Sequence, residues 1–250
     1  MLQQRYVNFN TCYQELNKFI FMNPEKYGIM DGCQLLIPDV HITIDHADAS
    51  KIDLAMIGYK QGKWTSLIKQ YVDLDKLQSF YKGLKTVTGN TYSFDFNTKE
   101  KGNGGCIKSI IVTRNGRKKN KWSRAFIVWR TCQFETKFAA DLIMISRILN
   151  EAPNSDFNLI TFYIPQGYMS AMYMSYLAEP VFNISLDKCV TNNHKFFDRV
   201  HSYDKWKQPD YRLCLRSSVA KFQQHYKDLK AGVTPKPITY MDCKLPFTKG

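Results

Sequence analysis

Apolar positions recur along the chain with two different periods, which predicts helices and strands in alternation. Leu16, Phe19 and Ile20 form a stripe at helical spacing, and Thr11 with Gln14 has the form of a capping box. A helix is therefore expected from Cys12 to Met22, stopped by Pro24. Gln34 to His46 reads as extended chain, alternating at Val40, Ile42 and Ile44. A second helix is expected over Leu74 to Leu84, ended by Gly89-Asn90, with a short strand after it in which Tyr92, Phe94 and Phe96 alternate. Ile107 to Thr113 and Ala125 to Trp129 are the arms of a predicted hairpin whose tip opens at Asn115-Gly116.

Thr136 to Asn150 is a predicted helix with Phe138, Leu142, Ile145 and Leu149 at helical spacing. Asn158 to Ile164 follows as an apolar strand closed by Pro165. A further helix is expected to begin near Tyr168, since Met169, Met172, Tyr173 and Tyr176 share a face, and Ser217 caps a last helix reaching Leu229. No linker, repeat or low-complexity tract separates these pieces. The pattern is that of a single mixed α+β domain over residues 1–250.

Composition narrows this picture modestly. With 44% hydrophobic and 23% charged residues among 250, the chain can bury a core and is neither disordered nor fibrous. It has no long uninterrupted apolar run, and MLQQRYVNFN lacks the layout of a signal peptide, so a soluble cytoplasmic protein is expected, with no membrane partner. Seven cysteines without a C-x-x-C pair suit neither a disulfide framework nor a metal site, and read as buried reduced thiols. Charge is more informative: the net +13 attracts phosphate, nucleotide or nucleic acid. Lys101 to Arg130 holds nine basic residues and no acid, including Lys101, Arg114, Arg124 and the RKKNK run of the hairpin tip.

Three residues are candidates for chemistry. Cys106 follows Gly104-Gly105, where backbone can approach a ligand, and basic surroundings would favour its thiolate; the plain alternative is a small buried side chain. Asp141 shares the apolar face of its helix, so its carboxyl must be partnered or neutral, in a structural or a functional role. Arg130 ends the apolar strand FIVWR, where a guanidinium can clamp a phosphate or close a structural ion pair. His41-Ile42-Thr43 is one H-x-T element of the kind two-histidine phosphoesterases need twice; no second copy exists, so that chemistry is excluded.

Taken in order, these pieces resemble the thymidylate synthase family: Cys106, a hairpin ending Trp129-Arg130-Thr131-Cys132, Phe138-Ala-Ala-Asp141 opening a long helix, then Asp156-Phe157 leading a strand. The spacing from Arg130 to Asp141, eleven residues, matches that family's spacing between its phosphate-binding arginine and base-reading asparagine. The resemblance covers Cys106 to about Tyr173, and more weakly Thr11 to Asp48. It implies a thymidylate-synthase-like mixed sheet packed with helices, a homodimer, and methylenetetrahydrofolate as one-carbon donor without a metal.

By the same resemblance Cys106 would add to carbon 6 of a pyrimidine, making carbon 5 nucleophilic. Arg130 and Thr131 would hold the 5′-phosphate, and Tyr168, with one residue of slack, would contact the sugar. Asp141 stands at the asparagine position, as in relatives that hydroxymethylate dCMP. A protonated carboxyl complements cytosine, which offers a ring-nitrogen acceptor and an amino donor.

The sequence departs from the family's pattern at Ile107, where the family has histidine, at Gly104-Gly105, and at Leu245 to Gly250, which do not resemble its folate-closing tail. Its lysine- and asparagine-rich character suits a viral nucleotide-modifying protein. Two other classes fit the same residues. One is a non-enzymatic nucleic-acid-binding protein using hairpin 114–124 with Trp122, and through it Lys101, Arg114 and Arg124. The other is an inactive relative serving in assembly, with Cys106 and Asp141 as interior residues.

Overall fold

Alternation begins at the second residue. Leu2, Gln4, Tyr6 and Asn8 are half-buried while Gln3, Arg5 and Val7 are exposed, and this segment forms strand β1 (Leu2–Asn8), which the apolar pattern alone does not reveal. The structure is a computed structural model and describes residues 1–30, 34–54, 56–57, 72–96, 106–115, 121–170, 174, 177–178, 181–185, 188 and 231. Lys101, Gly104, Gly105, Met172, Tyr173, Tyr176 and the expected helix from Ser217 lie outside the described residues.

Helix α1 (Phe9–Met22) starts three residues ahead of the expected Cys12, because its cap is Asn8 and not Thr11. The Asn8 side chain accepts from the Thr11 backbone N–H at 2.9 Å, which leaves Thr11 inside the first turn. A single 3₁₀ turn (Pro24–Lys26) and a short strand β2 (Gly28–Met30) follow, and then the long strand β3 (Gln34–His46) with the predicted bounds. Helix α2 (Leu74–Thr86) is capped by Asp73, whose carboxylate accepts from the N–H groups of Asp75 and Lys76. Strands β4 (Thr91–Asp95), β5 (Ile107–Arg114), β6 (Trp122–Trp129) and β7 (Cys132–Gln133) precede helix α3 (Lys137–Asn150) and strand β8 (Ser155–Ser170).

Strand β8 corrects two expectations. Pro165 does not close it, and no helix begins at Tyr168: Tyr168, Met169 and Ser170 continue the strand, pairing with Leu36, Leu35 and Gln34 of β3. A proline is tolerated there because β6 pairs with β8 only as far as Tyr163, and β7 takes up the pairing again at Gly167. Pro165 falls in the gap between them, where no parallel neighbour requires its N–H. Directly across on β3, Asp39 takes a left-handed conformation (φ 50°), which kinks β3 at the same level.

The strands form one mixed sheet in the order β1-β3-β8-β6-β5-β4, with β2 added to β3 and β7 to β8. The parallel pairs β1–β3 and β6–β8 are bridged by crossovers that contain α1 and α3, and these helices pack on one sheet face. The row Ile42, Phe162, Ile127, Ile110 and Phe94 runs across that face wholly buried, under Phe9, Leu16 and Ile20 of α1 and Phe138 of α3. On the other face His41, Thr43, Thr161, Tyr163, Arg124, Phe126 and Thr113 are half-buried or exposed. The described residues form an α+β structure of three α-helices and a mixed sheet, the expected fold class. Among the described residues no helix is long and apolar enough to cross a membrane.

Candidate active site

The antiparallel register that pairs Ile107 with Trp129 makes Cys106 and Arg130 neighbours, and the Arg130 backbone N–H donates to the Cys106 carbonyl at 2.7 Å. Cys106 is 7% exposed; Arg130 projects into solvent and makes no ion pair among the described residues. Two residues on, β7 joins β8, pairing Cys132 with Gly167 and Gln133 with Tyr168. Thr131 and Tyr168 are linked by a side-chain hydrogen bond. Arg130, Thr131 and Tyr168 thus lie beside Cys106 because a hairpin arm and the far half of β8 meet at one edge of the kink.

Asp141 reaches the same region from the second turn of α3. Its carboxyl is 1% exposed, and Oδ2 accepts from the Trp129 indole N–H at 3.3 Å, while Oδ1 has no hydrogen-bond partner among the described residues. Eleven of the fourteen residues of α3 are buried, so nearly the whole circumference of the helix is covered and Asp141 has no solvent-facing alternative. Burial pushes its carboxyl up to about 7, against the smaller lowering effects of the Trp129 hydrogen bond and the Lys137 charge. Trp129 is itself fixed by edge-on contacts with Phe162 at 4.7 Å and Phe138 at 6.2 Å.

A second buried carboxyl, absent from the sequence-based candidates, completes the cluster. Glu135 is 0% exposed; Oε1 accepts from Gln133 Nε2 at 2.8 Å and from the Ser170 backbone N–H at 3.1 Å. Oε2 has no partner among the described residues. Burial raises this carboxyl to about 7 despite those hydrogen bonds. Cys132, wholly buried, has a thiol raised by burial first and then by the nearby Asp141, Cys106, Glu135 and Cys12. Tyr168 is raised by burial, then by Cys106, Cys132 and Glu135. Cys132 thus neighbours Asp141, Cys106 and Glu135, and Tyr168 neighbours Cys106, Cys132 and Glu135.

Cys12 and Cys132 are buried reduced thiols, as read from their spacing. Glu135 escaped the sequence reading because it lies in the short link between β7, only two residues long, and α3, where no period exposes a buried position. A thiol, a hydrogen-bonding tyrosine, an exposed arginine and two carboxyls able to hold a proton near neutrality are groups suited to addition and proton transfer on a small polar substrate. Among the described residues no group of His, Cys, Asp and Glu is arranged to hold a metal ion.

The basic hairpin is built differently from its sequence-based reading as a nucleic-acid contact. Trp122 is wholly buried, with its indole N–H donating to the Leu84 carbonyl at 2.9 Å. Arg114 lies over the Trp122 ring at 4.2 Å and donates to the Val87 carbonyl at 2.9 Å, so these two side chains tie the hairpin to α2. Arg124 is exposed on the open sheet face, and Lys101 is outside the described residues.

No family model matches this chain, and no curated protein matches it. Among solved structures, the thermostable thymidylate synthase A from Bacillus subtilis is similar with a TM-score of 0.44 and 10% sequence identity, over 69% of this chain and 83% of that one.

Proposed function

We propose that the chain transfers a one-carbon unit to carbon 5 of a pyrimidine nucleotide, taking dCMP in preference to dUMP, with 5-hydroxymethyl-dCMP as product. The observation that carries this reading is the convergence of Cys106, just ahead of strand β5, Asp141 of helix α3 and Tyr168 of strand β8 near the Arg130-Thr131 junction. Those are the positions the sequence resemblance assigns to nucleophile, base reader, sugar contact and phosphate site. The Cys106 thiolate adds to carbon 6, its electron pair forming the S–C bond, and the ring electrons make carbon 5 nucleophilic. The exposed Arg130 offers a bidentate fork for a 5′-phosphate.

Asp141 supports cytosine through its protonation. Held neutral by burial, the carboxyl can donate to the ring nitrogen and accept from the exocyclic amine, and its Oδ1 is the oxygen with no internal partner among the described residues. Methylenetetrahydrofolate enters as second substrate on the resemblance alone; no described residue is assigned to it. The homodimer is likewise part of this reading, and the six-stranded open face of the sheet is the surface proposed for it.

The test is tritium release from carbon 5 of labelled dCMP and dUMP with methylenetetrahydrofolate. Release from dCMP that vanishes in Cys106→Ser supports the nucleophile, and a shift toward dUMP in Asp141→Asn supports the base reader. A folded wild-type chain that releases tritium from neither nucleotide would falsify the reading.

A further inference from the structure

Two carboxyls share the site, and the reaction above employs only one. Asp141 is occupied with the base edge, yet the chemistry also needs a group to remove the proton from carbon 5. After cysteine addition and bond formation to the one-carbon unit, carbon 5 carries both its hydrogen and the new substituent. Its C–H electron pair must form the exocyclic methylene's double bond as the bond from the one-carbon unit to the tetrahydrofolate nitrogen breaks; the amine leaves with that bond's electron pair and is protonated, and the carbon-5 proton needs an acceptor. Water then adds to that methylene, losing a proton as the S–C bond breaks and the thiolate leaves. One proton is taken up at each stage, and no oxidant or reductant is involved.

We infer that Glu135 is the proton-transferring carboxyl of this site, using Oε2 to take up the carbon-5 proton; the inference rests on the function proposed above. Three observations place it there. It is wholly buried beside Cys132 and Tyr168, which themselves adjoin Cys106. One oxygen is fixed by two donors, Gln133 Nε2 and the Ser170 N–H, which set the orientation of the carboxyl, while the other has no hydrogen-bond partner among the described residues. A buried carboxyl oxygen without a partner is costly in a purely structural role, since an apolar side chain of similar size would fill the same space without that penalty.

The neighbourhood also suits proton traffic. The groups facing Glu135 are Cys132 and Gln133 on β7, Tyr168 and Ser170 on β8, and Tyr13 on α1, which donates to its backbone carbonyl at 2.8 Å; none of them is a cation that would hold the carboxylate ionised. Burial keeps the carboxyl near 7, where it can both accept and release a proton at neutral pH.

Two measurements on the same variants separate this inference from the reading beneath it. With 5-fluoro-dCMP and methylenetetrahydrofolate, carbon 5 has no proton to give, so the Cys106 adduct accumulates and can be detected by mass spectrometry without any base. Glu135→Gln keeps an oxygen for Gln133 and the Ser170 N–H, so it should form this adduct as the wild type does while releasing tritium from dCMP about 100-fold more slowly. Glu135→Asp, with a shorter arm, should recover part of the release. Release within about threefold of wild type in Glu135→Gln overturns the inference, as does an equal loss of adduct and release, the signature of a structural role. If the wild type forms no adduct, the proposed function itself fails and Glu135 loses its role with it.

Discussion

Asp141 and Glu135 are held out of water at a cost that pH can reveal. In the folded chain both keep a proton up to about pH 7, whereas in an unfolded chain a carboxyl releases it near pH 4. Between those values the folded state binds more protons, so stability falls as pH rises through the window. The loss is complete above the folded value and absent below the unfolded one, and each group contributes about 1.4 kcal/mol per pH unit across it. The denaturation midpoint in urea is therefore expected to fall between about pH 4 and about pH 7. Asp141→Asn and Glu135→Gln should each flatten that slope, because an amide has no proton to lose. Parallel pH dependence in wild type and Asp141→Asn would show that the buried carboxyl is already ionised. The aromatic wall of Trp129, Phe138 and Phe162 limits relaxation around Asp141, so the penalty has little means of escape.

At the scale of elements, the site depends on a two-residue strand being held against β8. Gly167 permits this: a Cβ built there would lie 2.1 Å from Cε2 of Phe134, a wholly buried ring wedged edge-on against Phe138. Gly167→Ala should therefore cost about 1–3 kcal/mol and lower the thermal midpoint, because Phe134 has nowhere to move. Gly28→Ala, whose Cβ would meet nothing closer than 3.7 Å, is the matched control and should change the midpoint little. A Gly167→Ala midpoint equal to that of Gly28→Ala would mean that β7 is not clamped as described. The same junction explains what the sequence could and could not convey. Long periodic segments such as α3 and β3 were legible because their apolar positions repeat several times, and the Cys106, Arg130 and Asp141 spacing was legible because these residues lie on or beside such segments. The start of α1 was misread because Asn8, an ordinary strand-end residue, supplies a better cap than Thr11. The end of β8 was misread because the tolerance of Pro165 depends on a gap between two other strands, which no local pattern encodes. Glu135 was invisible because its burial is decided by β8 and α1, elements remote in sequence that close over it, with Tyr13 of α1 donating to its carbonyl at 2.8 Å.

At the scale of the whole molecule, one sheet face is filled by helices and the other is left without a layer among the described residues. Across that face run rows in register: Arg5, Thr43, Thr161, Phe126, Ile111 and Ser93 form one, with Gln3, His41, Tyr163 and Val128 beside it. Val7 at 58% exposure and Phe126 at 37% are large apolar side chains in this surface, and His41 and Tyr163 pack ring to ring at 4.8 Å. Six strands about 4.8 Å apart present on the order of 500 Å² of projected surface, which side-chain relief brings toward the roughly 800 Å² per partner of a stable interface. A net charge of +13 would oppose association of two copies, but on this face Asp45 offsets Arg5 at 2.7 Å, with Arg124 an exposed cation beside Phe126. The proposed homodimer should therefore sediment as a dimer at physiological salt. Thr161→Lys combined with Phe126→Lys, which sets like charges at the middle of a self-facing surface, should yield a monomer with unchanged far-ultraviolet circular dichroism, since neither side chain faces the helices. A wild-type monomer at micromolar concentration, or a doubly substituted chain that still sediments as a dimer, would exclude this face as the interface and leave its β-branched and aromatic rows to a different partner.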